Sequence, residues 1–175
     1  MLSVTRIDIV WDKYREDSLK KLTREKRGQG QRRKVLLSTR IPGDWRGFLR
    51  VDENKTERFQ LLAENVISLD IPEGKEIYTT YGSHVLSSTN RSNVISLDPC
   101  THEEADTRMF IHALDASSRG HRRVMPKSND TDVVVLAVSV ANIFPSEELW
   151  VTCGGHAGSL RIVNSDLDSL SSKLW

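Results

Sequence analysis

Apolar positions recur along the chain in two periods, which predict strands and helices. Short apolar runs predict strands at 6–11, 76–81, 124–125 and 148–153, the first of them buried and the third at a sheet edge or a strand end because Pro126 follows it. Apolar spacing predicts a helix over about 54–68, and the capping sequence 101–104 predicts another that ends near Ser118. The run 133–144, which stops at Pro145, is long enough to favour a third, buried helix. Because the strands alternate with helices, we expect an α/β fold with a short central, mainly parallel sheet flanked by helices.

Glycine, proline and polar residues mark the segments between these elements. Residues 28–38 have no apolar period, so we interpret them as a mobile basic loop, and the polar segment 82–93 is also predicted to be a loop. A chain of 175 residues with 38% hydrophobic content is large enough for one sizeable core. We therefore expect one incomplete domain over residues 1–160, with 161–175 as a C-terminal tail.

The charge of the chain is unevenly distributed, although its formal sum is only +1. Nine lysines and arginines lie within the basic loop 20–40, where Glu25 is the one acid. Such a block favours contact with the phosphates of a nucleic acid, and a solvated loop is the alternative. The phosphate-contact residues we predict are Lys20, Arg24, Lys26 and Arg27, with Arg32 and Arg33 behind them.

The cysteine content and the apolar runs predict an intracellular protein, with a nuclear location left open. The chain has two cysteines and no basic start followed by an apolar segment, which argues against secretion and a disulfide framework. Its longest apolar stretch, 133–140, is too short to cross a bilayer, and we expect no membrane partner. A zinc site is a weaker alternative, because its four possible ligands are unusually spaced: Cys100, His102, Cys153 and His156. The oligomeric state stays open.

Acidic residues form three clusters at predicted strand ends or helix starts. The clusters are Asp12, then Glu103, Glu104 and Asp106, and then Asp130 and Asp132. Carboxylates that converge at the carboxyl edge of a sheet suit hard cations such as Mg²⁺ or Mn²⁺, which activate water in phosphodiester cleavage. Each cluster also has a simpler interpretation as a helix cap, an Asx turn or a plain loop. All three simpler interpretations must hold together to exclude a site.

The acidic and basic motifs, taken in order, resemble the flap-endonuclease branch of the PIN-like nucleases. The matching stretches are 10–12, 18–20, 26–27 with 32–33, 103–106 and 129–132. In that family a strand ends in an aspartate, a Leu-Lys step and a basic helix follow, and Glu-Ala-Glu-Ala and Asp-x-Asp elements come later. The resemblance covers about residues 6–155 and implies a PIN-like fold and a metal-dependent nuclease activity. It implies Mg²⁺ or Mn²⁺ bound by Asp12, Glu104, Asp106, Asp130 and Asp132, with Glu103 as the alternative to Glu104.

Phrases around residues 102–108 and 130–137 are also similar to uncharacterised, multicopy animal proteins of mobile-element origin. The nuclease family has an earlier strand that ends in aspartate and a later Gly-x-Asp element, so we expect this chain to be truncated at both ends. A metal site without those two acids would bind its cation weakly. Three hypotheses stay open: a nuclease, a catalytically silent nucleic-acid-binding remnant, and a structural or interaction domain.

Overall fold

Two mixed sheets organise the fold, and each belongs to a separate compact unit. The structure is a computed structural model that describes residues 4–15, 18, 30–89, 94–154 and 159–163. The first unit covers residues 1–104 and the second 105–175. The α/β class is therefore confirmed, but the described residues form two mixed sheets rather than one central, mainly parallel sheet. The single domain over 1–160 stays a prediction.

In the first unit, the sheet has the order β1–β2–β3. Strand β1 (Arg6–Ile9) runs parallel to β2 (Glu76–Tyr81), which pairs antiparallel with β3 (His84–Ser87). The predicted strand 76–81 is confirmed, whereas the predicted loop 82–93 contains β3. A tight turn at Gly82, whose φ of 60° suits glycine, returns the chain along β2. Backbone pairing to β2 thus makes residues 84–87 of this polar segment a strand.

Two helices complete the described part of the first unit. They are α1 (Trp45–Leu49) and α2 (Asp52–Ile67), and α2 packs against β2. The prediction of a helix over 54–68 is confirmed, with its start two residues earlier. Ala63 of α2 and Tyr78 of β2 are fully buried, which places them in the core of this unit. Within β2, four consecutive residues, 77–80, are buried, as expected for the central strand of a sheet.

A buried side chain on α2 holds the part of the basic loop that the structure describes. The Asn54 amide Nδ2 donates to the carbonyl oxygens of Gln31 (2.8 Å) and Phe48 (3.0 Å). Its Oδ1 accepts from the backbone N–H of Arg33 at 2.9 Å. Gly30 permits the close approach, because a Cβ there would lie 2.2 Å from the carbonyl oxygen of Gly47. Residues 31–35 therefore lie against α2, which differs from the mobile loop predicted for 28–38.

The second unit contains two helices and a sheet. Helix α3 spans Ala105–Ser118, and α4 (Asp132–Val140) continues into a 3₁₀ turn, Ala141–Ile143. Strand β6 (Glu148–Cys153) pairs antiparallel with β7 (Ser159–Val163), so three residues of the predicted tail belong to a strand. The end of α3 at Ser118 and the strand 148–153 are confirmed. The run 133–144 is α-helical only to Val140, and the prediction that its helix is buried is wrong. Only the face with Val133 and Ala137 packs in the core, whereas Val135 and Val138 are exposed. The core consists of Phe110, Ala113, Val133, Ala137, Phe144, Leu149 and Val151.

Strands β4 (Arg123–Val124) and β5 (Lys127–Ser128) are the two halves of one strand interrupted at Pro126. Both run parallel to β6 in one register: Arg123 with Glu148, Val124 with Leu149, Lys127 with Thr152 and Ser128 with Cys153. The carbonyl oxygen of Pro126 accepts from the N–H of Thr152 at 3.0 Å, but proline has no N–H to donate. The strand predicted at 124–125 therefore continues beyond the proline.

Helix α3 begins at Ala105, three residues later than a Thr101 cap would require. The reason is a contact of the backbone before the helix: the carbonyl oxygen of Glu103 accepts from the N–H of Lys13 at 2.9 Å. Glu103 and Glu104 therefore precede the helix, and Asp106 lies in its first turn. Within the described ranges, no helix is both long and apolar enough to cross a bilayer.

We predict that Asn54→Ala lowers the free energy of unfolding by about 2–4 kcal/mol, because it leaves buried backbone groups without hydrogen-bond partners. Urea unfolding followed by circular dichroism measures this change. The matched control is Asn65→Ala on the same helix, where the exposed Asn65 side chain donates to the carbonyl of Leu61 in its own helix. The control should stay within about 0.5 kcal/mol of the wild type. Equal losses in both variants would contradict the anchoring role of Asn54.

Candidate functional site

In the first unit, Asp12 lies beyond the carboxyl end of β1 on a segment fixed by its neighbours. The backbone N–H of Trp11 donates to Thr80 Oγ1 (2.8 Å), and its indole N–H donates to Thr79 Oγ1 (3.1 Å). The Trp11 ring stacks on Phe59 of α2 with 4.9 Å between centroids. Asp12 itself is exposed, and the Tyr14 hydroxyl lies 3.4 Å from its Oδ2. A carboxylate is thus held at the strand end where the sequence predicted one.

Glu103 is brought next to this segment, since its carbonyl oxygen accepts from Lys13 N–H at 2.9 Å. The Lys13 ammonium donates to Ser83 Oγ at 2.8 Å, just past the end of β2. Glu103 and Glu104 are half-buried. The first unit therefore brings the main chain of two of the three predicted acidic clusters together. The choice between Glu103 and Glu104 as a ligand stays a prediction.

In the second unit, Ser128 links two of the predicted acids. Its hydroxyl lies 3.4 Å from Asp106 Oδ1, in the first turn of α3, and accepts from the backbone N–H of Asp130 at 3.1 Å. The Oδ1 of Asp130 accepts from the N–H of Asp132 at 3.2 Å, which forms an Asx turn at the start of α4. The structure thus brings Asp106 and Asp130 to the carboxyl end of β5. We name Asp106, Ser128, Asp130 and Asp132 the acidic cluster.

Two further residues lie at this edge: Ser128, which the sequence did not single out, and Cys153, which it offered only as a zinc ligand. Ser128 ends β5 and Cys153 ends the neighbouring strand β6, and the two residues are paired across the sheet. The Cys153 thiol lies 3.2 Å from the carbonyl oxygen of Asp130. The signal that identifies them is positional, since both residues end adjacent parallel strands, where polar side chains line the usual ligand crevice. The interruption at Pro126 hid the second half of the strand.

The donors of the acidic cluster have the chemistry of a magnesium or manganese site, although their number is small. Asp106, Asp130 and Ser128 offer oxygen atoms, which hard cations prefer. Among the described residues, no group of three or more His, Cys, Asp or Glu side chains is arranged to hold a metal ion. Mg²⁺ commonly binds through one or two carboxylates and keeps several waters, so the cluster fits that mode and not an all-protein cage.

The basic residues divide between the described and the undescribed parts of the chain. Lys20, Arg24, Lys26 and Arg27, the first predicted phosphate contacts, lie outside the described residues. Arg32 pairs with Glu57 of α2 and donates to Asn54 Oδ1 at 3.1 Å. The Arg33 guanidinium donates twice to Gln31 Oε1, at 2.8 and 3.1 Å. Both arginines thus make hydrogen bonds within the first unit, and their role as phosphate contacts stays a prediction.

Glu57 is the electrostatic partner of this basic segment. Its carboxylate accepts from the backbone N–H of Val35 at 2.9 Å and from the Arg32 guanidinium. The hydrogen bond from Val35, followed by the one from Arg32, lowers the pKa of Glu57 from its ordinary value of 4.5, because both stabilise the charged form. Glu57 therefore favours the folded state at neutral pH.

Comparison of the chain with known proteins identifies no family. No family model, curated protein or solved structure matches the chain.

We predict that acid weakens the first unit through Glu57. Since its pKa is lower in the folded than in the unfolded state, its stabilising contribution is complete above pH 4.5 and is lost as the pH falls through the folded value. Glu57→Gln should therefore reduce the loss of unfolding free energy between about pH 5 and pH 3, as measured by urea titrations at several pH values. Glu53→Gln, an exposed position on the same helix, is the control. A Glu57→Gln profile parallel to that of the wild type would contradict the assignment.

Proposed function

We propose that this chain is a PIN-like, nuclease-like domain that acts on nucleic-acid phosphodiesters with Mg²⁺ or Mn²⁺. The observation that supports the proposal is the Ser128 link, which joins Asp106 to Asp130 at the carboxyl end of β5. Ser128 contacts the carboxylate of Asp106 and the backbone of Asp130, and carboxylates at the carboxyl end of a parallel strand are suited to orient a hydrated cation toward a phosphate. The resemblance of the acidic motifs to the flap-endonuclease branch supports the same proposal.

In this proposal, Asp106 and Asp130 would hold the cation together with the Ser128 hydroxyl. Such a cation would supply Lewis-acid activation of water and would neutralise charge on the phosphodiester. Asp132 orients Asp130, because its backbone N–H donates to the Asp130 carboxylate. Asp12, Glu103 and Glu104 belong to the first unit and are proposed as further ligands on the resemblance. Lys20, Arg24, Lys26 and Arg27 are proposed to contact the substrate backbone.

The second candidate is a catalytically silent domain that keeps the nucleic-acid contacts. One observation favours it: the described residues contain no group of three or more His, Cys, Asp or Glu side chains that could hold a metal ion. Such a site binds a cation weakly unless a substrate phosphate completes the coordination. The two candidates therefore differ in cleavage and in metal affinity, and both bind nucleic acid in a salt-dependent way.

We predict cleavage of labelled flap and single-stranded oligonucleotides in Mn²⁺, and none in EDTA. The Asp130→Asn, Asp132→Asn double variant should lose at least about a hundredfold in rate, because it removes the charge that holds the cation. Asp70→Asn, an exposed acid outside the clusters, is the matched control and should cut like the wild type. A folded wild type that binds oligonucleotides without cutting them would favour the silent candidate.

Metal binding is tested separately from cutting. We predict that millimolar Mn²⁺ raises the melting temperature of the wild type by a few degrees, since a ligand that binds only the folded state stabilises it. Asp106→Asn should abolish the shift, and Asp70→Asn should keep it. An equal shift in both variants would assign the cation to another part of the chain and would contradict the role of the acidic cluster.

A further inference from the structure

The loop before α1 exposes apolar side chains that a folded protein usually covers. Leu37 is 78% exposed and Ile41 is 84% exposed, while Leu36 and Trp45 are 49% and 37% exposed. We name these four residues the apolar tip. Exposed aliphatic residues scattered along a chain are common, but these four lie within ten positions of one loop and helix start. Concentrated apolar exposure of this kind is typical of interaction surfaces.

Cations flank the apolar tip and are available to an anionic partner. Lys34, Arg40 and Arg46 are exposed, and Asp44 is the one acid between residues 31 and 50. The structure gives the side chains of Arg40 and Arg46 no ion pair within the described ranges, in contrast to Arg32, which is paired with Glu57. The carboxylate of Asp44 accepts from the N–H of Gly47 at 2.8 Å and caps α1. The surface therefore presents positive charge around an apolar centre.

Hydrogen bonds to α2 and within the loop hold the backbone of residues 31–39 in place, which lowers the conformational entropy that the loop loses when a partner binds. Asn54 and Glu57 hold residues 31–35 on α2, and the Thr39 hydroxyl accepts from the backbone N–H of Leu36 at 2.9 Å. Trp45 stacks on Phe48 with 5.2 Å between ring centroids. The exposed side chains thus extend from an ordered backbone, and a partner does not have to order the loop when it binds.

From these observations we infer that the apolar tip and its flanking cations dock the protein on an anionic membrane surface. Leu37 and Ile41 would enter the boundary between head groups and acyl chains, and Lys34, Arg40 and Arg46 would contact the anionic head groups. The inference is independent of the proposed nuclease function. It revises the expectation of no membrane partner, which considered only segments that span a bilayer.

The chemistry of the tip favours lipid over nucleic acid. Bases stack on aromatic rings, whereas the most exposed residues of the tip are aliphatic. The aromatic ring of Trp45 already contacts Phe48, and the Arg58 guanidinium lies 4.9 Å from its centroid. Aliphatic side chains surrounded by Lys and Arg are the combination found in segments that bind at membrane interfaces.

The test is co-sedimentation of the full chain with vesicles of phosphatidylcholine, with and without phosphatidylserine. We expect binding to the anionic vesicles only, with a partition coefficient that falls as salt increases. The Leu37→Ser, Ile41→Ser double variant should bind at least about tenfold more weakly, because it removes the apolar contact. Arg40→Gln and Arg46→Gln should each weaken binding about fivefold, which corresponds to roughly 1 kcal/mol per cation.

Matched controls use exposed residues of the same unit that lie outside the tip. Leu69→Ser with Ile95→Ser replaces two aliphatic residues that are 59% and 81% exposed, and Lys75→Gln removes one exposed cation. All controls should bind like the wild type, and circular dichroism should show every variant folded. Absence of vesicle binding by the folded wild type would overturn the inference. Vesicle binding that is unchanged in the tip variants would also overturn it. The same holds if the protein does not bind vesicles but binds oligonucleotides in a way that requires Arg40 and Arg46.

Discussion

The candidate site depends on the parallel pairing of β6 with the interrupted strand formed by β4 and β5. Parallel strands end at the same edge, so this register brings Ser128 and Cys153 side by side and leaves the next turn, with Asp130, at that edge. Pro126 removes one ladder hydrogen bond without changing the register, since β4 and β5 pair with β6 in the same alignment. The hydroxyl of Ser128 then reaches both Asp106 on α3 and the backbone of Asp130.

In the first unit, the comparable constraint is the buried amide of Asn54. A carboxamide shielded from water must satisfy its own hydrogen bonds, and Asn54 does so with the backbone of residues 31, 33 and 48. The same contacts settle where the basic segment lies. Arg32 is consequently directed to Glu57, while Arg40 in the loop and Arg46 in α1 are exposed. The anchored segment thus commits Arg32 to the stability of the unit, and the exposed cations stay available to a partner.

The acidic cluster and the apolar tip differ in chemistry, and each therefore suits a different kind of ligand. The acidic cluster offers oxygen donors at a strand edge, which suits a hydrated divalent cation. The apolar tip offers aliphatic side chains within a positive field, which suits an anionic interface. The first proposal draws on the resemblance of the acidic motifs as well as on geometry. The second proposal rests only on the exposed apolar side chains and the charges around them. A test can therefore contradict the cation site or the membrane docking without affecting the other.

Elements with a strong apolar pattern could be predicted from the amino-acid sequence. Strands 76–81 and 148–153 and the helix near 54–68 follow from β-branched runs and helical spacing, because these patterns require one buried face. The sequence also predicted that Asp106 and Asp132 lie at helix starts, whereas Glu103 and Glu104 precede α3 and Asp12 lies beyond the end of β1. Tertiary structure decided the rest: β3 is a strand because β2 offers it a backbone ladder, and α3 starts at Ala105 because Glu103 is hydrogen-bonded to Lys13. Only folding could reveal the Ser128 link and the Asn54 anchor, since hydrogen bonds between residues distant in sequence leave no periodic signal in the chain.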